Sequence, residues 1–202
     1  MQNSIILKGG IILKSFLATF EQSAKEFTKV RTLAVTGIFI ALNVVLGFFS
    51  ISVTSYLKIG FSFLALAAIG MLYGPVVGLA AGALCDIIGF IVKPSGPFLI
   101  IFTLIAMLSG FIYGLFLYKK EGRKLTIFAI ISKATVTLVC NIFLNTLALV
   151  HYGFIPPDIT SKAILTRVIK NLVELPVGCA MLIAVLMFVN QAYKRVFNKS
   201  TI

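Results

Sequence analysis

The sequence predicts an all-α membrane protein of six transmembrane helices with both termini on the cytoplasmic side. Three observations predict it. Charged residues make up 12% of the 202-residue chain, whereas a soluble domain carries roughly 25% to keep its surface solvated. The mean hydropathy is +1.07, and it is concentrated in uncharged runs close to the about 20 residues that a spanning helix needs. The 18 Lys and Arg, against 6 Asp and Glu, fall unevenly between alternate connections, as the enrichment of cytoplasmic loops in basic residues requires.

The segment before the first span does not read as a signal peptide, because its apolar run from Ile5 to Phe20 is interrupted by Lys8 and Lys14. Leu7, Ile11, Phe16 and Phe20 line one face of a helix, so residues 1–27 read as an amphipathic segment on the membrane surface, with a disordered leader as the alternative. The first span is Ala34 to Ile51, uncharged and preceded by Lys29 and Arg31. The run from Ile59 to Val92 would measure about 50 Å as one helix, against a hydrocarbon core of about 30 Å. Gly74-Pro75 near its middle is a strong turn signal, so it divides into a second and a third span. Pro97 to Tyr118 is the fourth, Leu125 to Tyr152 the fifth and Ser161 to Ala192 the sixth. The membrane domain thus covers 28–194, followed by a cytoplasmic tail, 195–202.

Charge counting supports the break. With the second and third spans as a hairpin, one side holds Lys8, Lys14, Lys25, Lys29, Arg31, the Lys119–Lys124 loop, Lys194, Arg195 and Lys199, twelve basic residues in all; the other holds only Lys58, Lys93 and Lys162. Five spans would move the loop to the sparse side, against the positive-inside rule. The same rule accounts for the net charge of +12. With no zinc-finger spacing and no basic stripe interleaved with aromatics outside the apolar runs, nucleic-acid binding is excluded. Cys85, Cys140 and Cys179 lie inside apolar runs without a C-x-x-C pair, which argues against disulfides and metal ligation.

Gly70, Gly74, Gly78 and Gly82 recur every fourth residue, and Gly110 and Gly114 repeat the spacing. Small residues at i, i+4 let helices approach closely in lipid. Internal packing is the reading for the Gly70–Gly82 series. Gly37-x-x-x-Ala41 on the first span, with Ala34 beside it, is the candidate face for another membrane protein.

Ionisable residues inside a membrane are expensive and mark function. Arg167, Lys170, Asn171 and Glu174 share one face of the sixth span at i, i+3, i+4 and i+7. Asp86, leaving the third span toward the same side, completes the set. The outer connections add Tyr56, Lys58, Lys93, Pro97 and Phe98. Together they outline a cationic, aromatic-lined pocket open to the outside, with two carboxylates. The competing reading is a structural ion network, Lys170 with Glu174 and Asp86 with Arg167. Lys133, two turns from the cytoplasmic end of the fifth span, is expected to snorkel. Asn43 and Asn141 read as structural hydrogen bonders, and Asn145 stays open between that role and contact with a heterocycle. There is no P-loop, G-x-S-x-G, H-E-x-x-H or paired catalytic carboxylate. The chain is therefore expected to be no enzyme, to need no cofactor or metal, and to draw any transport energy from an ion gradient or a partner.

Three stretches carry a resemblance: RTLAVTGIFIALNVVL from Arg31 to Leu46; D-I-I-G-F-I-V-K-P-S-G-P-F, followed by F-T-L-I-A-M-L-S-G-F-I-Y-G, from Asp86 to Gly114; and N-T-L-A-L-V-H-Y-G with R-V-I-K-N-L-V-E-L-P, from Asn145 to Pro176. They resemble the folate-specific substrate-binding (S) components of energy-coupling factor (ECF) transporters. Leu99-Ile100-Ile101 departs from the Pro-Gly expected after the aromatics. The resemblance implies six helices, high-affinity capture of a vitamin from outside, and assembly with a transmembrane coupling (T) protein and two cytoplasmic ATPases in a bacterial plasma membrane. It places the coupling contact at Gly37 and Ala41. It implies folate as ligand, the glutamate tail on Arg167, Lys170 or Lys58, the pterin edge on Asp86 or alternatively Glu174, and the ring stacked on Phe98, Phe61 or Tyr56. The alternatives are another vitamin or heterocycle, and a structural membrane protein without a small ligand.

Overall fold

This computed structural model describes residues 17–54, 57–94, 96–155 and 160–197, with the side chains of residues 51–59 outside that description. Tyr56, the side chain of Lys58, and residues 1–16 with Leu7, Ile11 and Phe16 therefore lie outside it. A short helix, α1, covers 17–26. It is followed by α2 (Val30–Phe48), a two-stranded antiparallel hairpin of β1 (Ile51–Thr54) and β2 (Leu57–Ile59), α3 (Phe63–Tyr73), α4 (Pro75–Val92) and α5 (Ile100–Leu117). Two long helices complete the chain, α6 (Gly122–His151) and α7 (Thr160–Phe197). Among the described residues five helices are long and apolar enough to cross a membrane; α3, at 11 residues, is apolar but shorter.

The turn between α3 and α4 falls at Gly74, whose φ of 88° is open to glycine but strained for other residues. Pro75 then opens α4 at a position where the missing N–H is no loss. Gly74 has no side chain to cap the helix it precedes. The buried Ser23 of α1 supplies one instead: its hydroxyl accepts from the Val76 and Val77 amides at 3.0 and 3.4 Å and donates to the Tyr73 carbonyl at 2.7 Å. Residues 17–26 are thus docked on the bundle through Ser23 and the Phe20–Phe111 ring contact at 5.6 Å.

The glycine series is the seam of the core. A Cβ on Gly78 would overlap the Gly110 carbonyl, one on Gly82 the Ala106 carbonyl, and one on Gly70 the Gly114 backbone. This register runs α4 and α5 antiparallel, with α3 folded against both. Tyr73, Tyr113, Ile69, Leu117 and Leu182 fill the interior. The outward faces carry exposed Val30, Ile91 and Phe188, the apolar exterior that a lipid-facing bundle presents.

Three features differ from the sequence expectation. The connection after α2 is a β hairpin. Residues Val136–Leu144 of α6 wind as a π-helix. The last helix runs on to Phe197, carrying Pro176 within it; a membrane helix tolerates an internal proline when neighbours satisfy the freed carbonyl.

Candidate functional site

A cavity of about 590 Å³ opens between α2, α4, α5, α6 and α7. That volume is within the range of roughly 300–1,000 Å³ usual for small-molecule sites. Lys93, Pro97 and Phe98, in the connection after α4, flank one end. Phe98 packs edge-on against Phe90 at 5.1 Å, and the Lys93 ammonium stands 5.5 Å from the Phe48 ring centre.

The i, i+3, i+4, i+7 stripe of α7 brings Arg167, Lys170, Asn171 and Glu174 to the cavity wall. Arg167 is buried, 8% exposed. Its Nε donates to Thr146 Oγ1 at 2.9 Å, and its Nη2 to Asn145 Oδ1 at 3.0 Å and to the Asn141 carbonyl at 3.3 Å. These three acceptors are neutral and lie on α6, and they orient the guanidinium. Lys170 and Glu174 pair at 2.5 Å. Asp86 enters from α4, and its Oδ2 accepts from Thr103 of α5 at 2.7 Å. One cavity therefore gathers Asp86, Lys93, Pro97, Phe98, Asn145, Arg167, Lys170 and Glu174.

Phe61 packs, partly buried, against the core, and Phe63, at the first turn of α3, lines the cavity. Lys133 is a correction. It does not reach back to the cytoplasmic interface but is buried, 4% exposed, with its ammonium 3.3 Å from the Phe63 ring centre. Gly178 opposite makes the room, since a Cβ there would stand 2.7 Å from Lys133 Cε. Asn43 donates to the Ser62 carbonyl at 2.7 Å and also lines the cavity, as does Asn141. His151 is exposed beside Tyr152 and away from the cavity. Among the described residues no cluster of His, Cys, Asp and Glu could hold a metal.

Ala34, Gly37 and Ala41 lie together on the exposed face of α2, and a Cβ on Gly37 would meet nothing within 4 Å.

Comparison with known proteins adds the following. Residues 31–198 match the family described as ECF transporter, substrate-specific component. The folate transporter FolT of Clostridium novyi (strain NT) is 30% identical over 154 residues, 74% of this chain and 84% of that protein. The folate transporter FolT of Leuconostoc mesenteroides is 30% identical over 172 residues, 83% and 92% of the two chains. A crystal structure of FolT bound with folic acid superposes with a TM-score of 0.70 at 31% identity, covering 82% of this chain and 98% of that one.

Proposed function

This chain belongs to the ECF transporter substrate-specific components, and from that premise we propose that it is the folate-capturing subunit of an ATP-driven importer. It is a multi-pass membrane protein and a transporter's binding component, with chemistry left to its partners. The bacterial plasma membrane is the compartment we assign it.

The observation that carries the reading is the single cavity joining cationic Arg167 and Lys170 to the carboxylates of Asp86 and Glu174. Folate needs both signs. Its glutamate tail carries two carboxylates, which suit the planar donor fork of Arg167 and the ammonium groups of Lys170, Lys93 and Lys58. Its pterin edge presents adjacent N–H donors, which Asp86 accepts bidentately, with Glu174 as the alternative acceptor. Phe98 and Phe63 offer ring faces for stacking, and Pro97 and Asn145 complete the wall. Tyr56 belongs to the same proposed set from its place in the sequence. The likeness to folic-acid-bound FolT supports this ligand over other heterocycles.

Energy comes from a T protein and two cytoplasmic ATPases. The exposed small-residue face of α2, Ala34, Gly37 and Ala41, is where the T protein docks, because a helix without bulky side chains admits another backbone closely.

The test is saturable binding of labelled folate to the purified chain in detergent. The sequence has no Trp, so the label itself must report. Saturable binding displaced by unlabelled folate, but not by a panel of other vitamins, is expected. A folded protein that takes up no label, or yields it equally to any heterocycle, overturns folate as the ligand.

A further inference from the structure

Four cations gather at the start of α6, and neither helix stability nor charge balance accounts for them. Lys119, Lys120, Arg123 and Lys124 fall within six residues. Arg123 and Lys124 stand in the first turn of α6, which holds no acidic residue, and cations there oppose the helix dipole. Each glutamate at this end already has a partner: Glu21 pairs with Lys25 at 2.6 Å, Glu26 with Lys29 at 2.7 Å and Glu121 with Lys194 at 2.7 Å. The remaining acidic residues, Asp86, Glu174 and Asp158, belong to the cavity and to the connection after α6. Lys119 donates to the neutral Gln22, and the Lys120 ammonium lies 4.8 Å from the Phe128 ring centre. Arg123 and Lys124 are exposed, and among the described residues neither side chain has a hydrogen bond or an ion pair. The positive-inside bias explains why such charges share one side of a membrane. It does not explain why they gather on one flank: α6 packs on α5 and α7, whereas α2 packs on α3 and α4.

The same flank continues as an apolar ridge. Ile127, Ile130 and Ile131 follow Arg123 at i+4, i+7 and i+8, so they share its helix face, and all three are exposed. From Arg123 to Ile131 the helix rises about 12 Å, within the depth of about 15 Å of one leaflet's hydrocarbon. We propose that this flank holds an anionic phospholipid, its headgroup phosphate on Arg123 and Lys124 and an acyl chain along Ile127, Ile130 and Ile131. A guanidinium fork matches phosphate oxygens in pairs, and a cluster of cations at the membrane end of a span attracts acidic headgroups. A zwitterionic lipid fits less well, because its own ammonium enters a field of four cations that no carboxylate offsets. The α2 face with Gly37 and Ala41 lies on another flank, so lipid and coupling protein do not compete for one surface.

The test titrates the purified chain in a nonionic detergent with phosphatidylglycerol or with phosphatidylcholine of the same acyl chains, reading the melting temperature. Phosphatidylglycerol is expected to raise it at lower concentration than phosphatidylcholine. Arg123→Gln and Lys124→Gln are each expected to raise the half-maximal phosphatidylglycerol concentration about fivefold, the worth of one cation near an acidic surface. Lys162→Gln, at the other end of the molecule, is expected to leave it unchanged, and labelled folate should bind all three variants as it binds wild type. Equal response of the wild type to the two lipids overturns the site. So does an equal effect of the three variants, which would reduce the patch to diffuse attraction. Inorganic phosphate giving the same rise at the same concentration would make it a free-anion site. Loss of the co-purifying ATPase module in Arg123→Gln and Lys124→Gln, with the lipid titration unmoved, would assign the flank to a protein partner. Either of these last two results also overturns the lipid.

Discussion

Arg167 shows how much a side chain's setting adds to its charge. The guanidinium is fixed by Thr146, Asn145 and the Asn141 carbonyl, and only a planar fork can meet three acceptors in that arrangement. Lysine at this position keeps the charge and loses the geometry. Arg167→Lys is expected to weaken folate by at least about tenfold, since a hydrogen bond to a charged group is worth about 1.5–3 kcal/mol. An equilibrium binding isotherm beside a melting curve checks it. A lower melting temperature with unchanged affinity would make Arg167 a structural residue only. The charge of Arg167 and its place on a four-residue stripe were legible in the sequence, because spacing alone sets which residues share a helix face. The fate of Lys133 was not. Whether a lysine two turns inside a helix end turns outward or inward depends on whether the neighbouring helix leaves room, and that room comes from Gly178, 45 positions away in the chain.

At the scale of elements, long apolar runs with few charges located α2, α4, α5, α6 and α7, and Gly74-Pro75 divided α3 from α4. The hairpin β1–β2 escaped notice because the short stretch between Ile51 and Ile59, with Ser52, Thr54, Ser55 and Lys58, reads equally as an outer connection between spans. The π winding of Val136–Leu144 escaped for a related reason, since apolar composition does not report which carbonyl each amide chooses. The small residues divide into two classes that the sequence could only suggest. Gly110 faces the Gly78 backbone with no space, whereas Gly37 faces outward from α2 with nothing near it. Leucine at the two sites should therefore fail differently. Gly110→Leu forces α4 and α5 apart and is expected to abolish folded protein, read as loss of the monodisperse peak in size-exclusion chromatography. Gly37→Leu is expected to leave folate affinity within about twofold of wild type and to stop uptake when the chain is co-expressed with its ATPase module. Equal loss of binding and uptake in Gly37→Leu would exclude α2 as the docking face.

Across the whole molecule, charge is sorted to one end. There Lys194 pairs with Glu121 at 2.7 Å, the Arg31 guanidinium sits 4.5 Å from the Phe197 ring centre, and Lys119 reaches Gln22 at 2.5 Å. The α1 helix, the turn before α6 and the last turn of α7 meet there, and the cavity mouth with Lys93 lies away from them. The positive-inside bias predicts that the basic end is cytoplasmic. The native cysteines are buried, so single exposed cysteines can report orientation. An impermeant maleimide added to intact cells is expected to label His151→Cys and to spare Arg123→Cys; the reverse pattern would invert the topology. The mixed winding of α6 has a consequence at this scale too. Lys133, Thr137, Asn141, Asn145 and Leu149 all border the cavity at intervals of four. In a plain α-helix each such step overshoots a full turn by about 40°. The wider i→i+5 turns of Val136–Leu144 undershoot instead, so the drift accumulated on one side of the stretch is unwound within it. Rewound as α throughout, the two steps from Thr137 to Asn145 would overshoot by about 80° where they now undershoot, and Lys133 at the foot of the row would no longer share a face with Asn145 and Leu149 at its head.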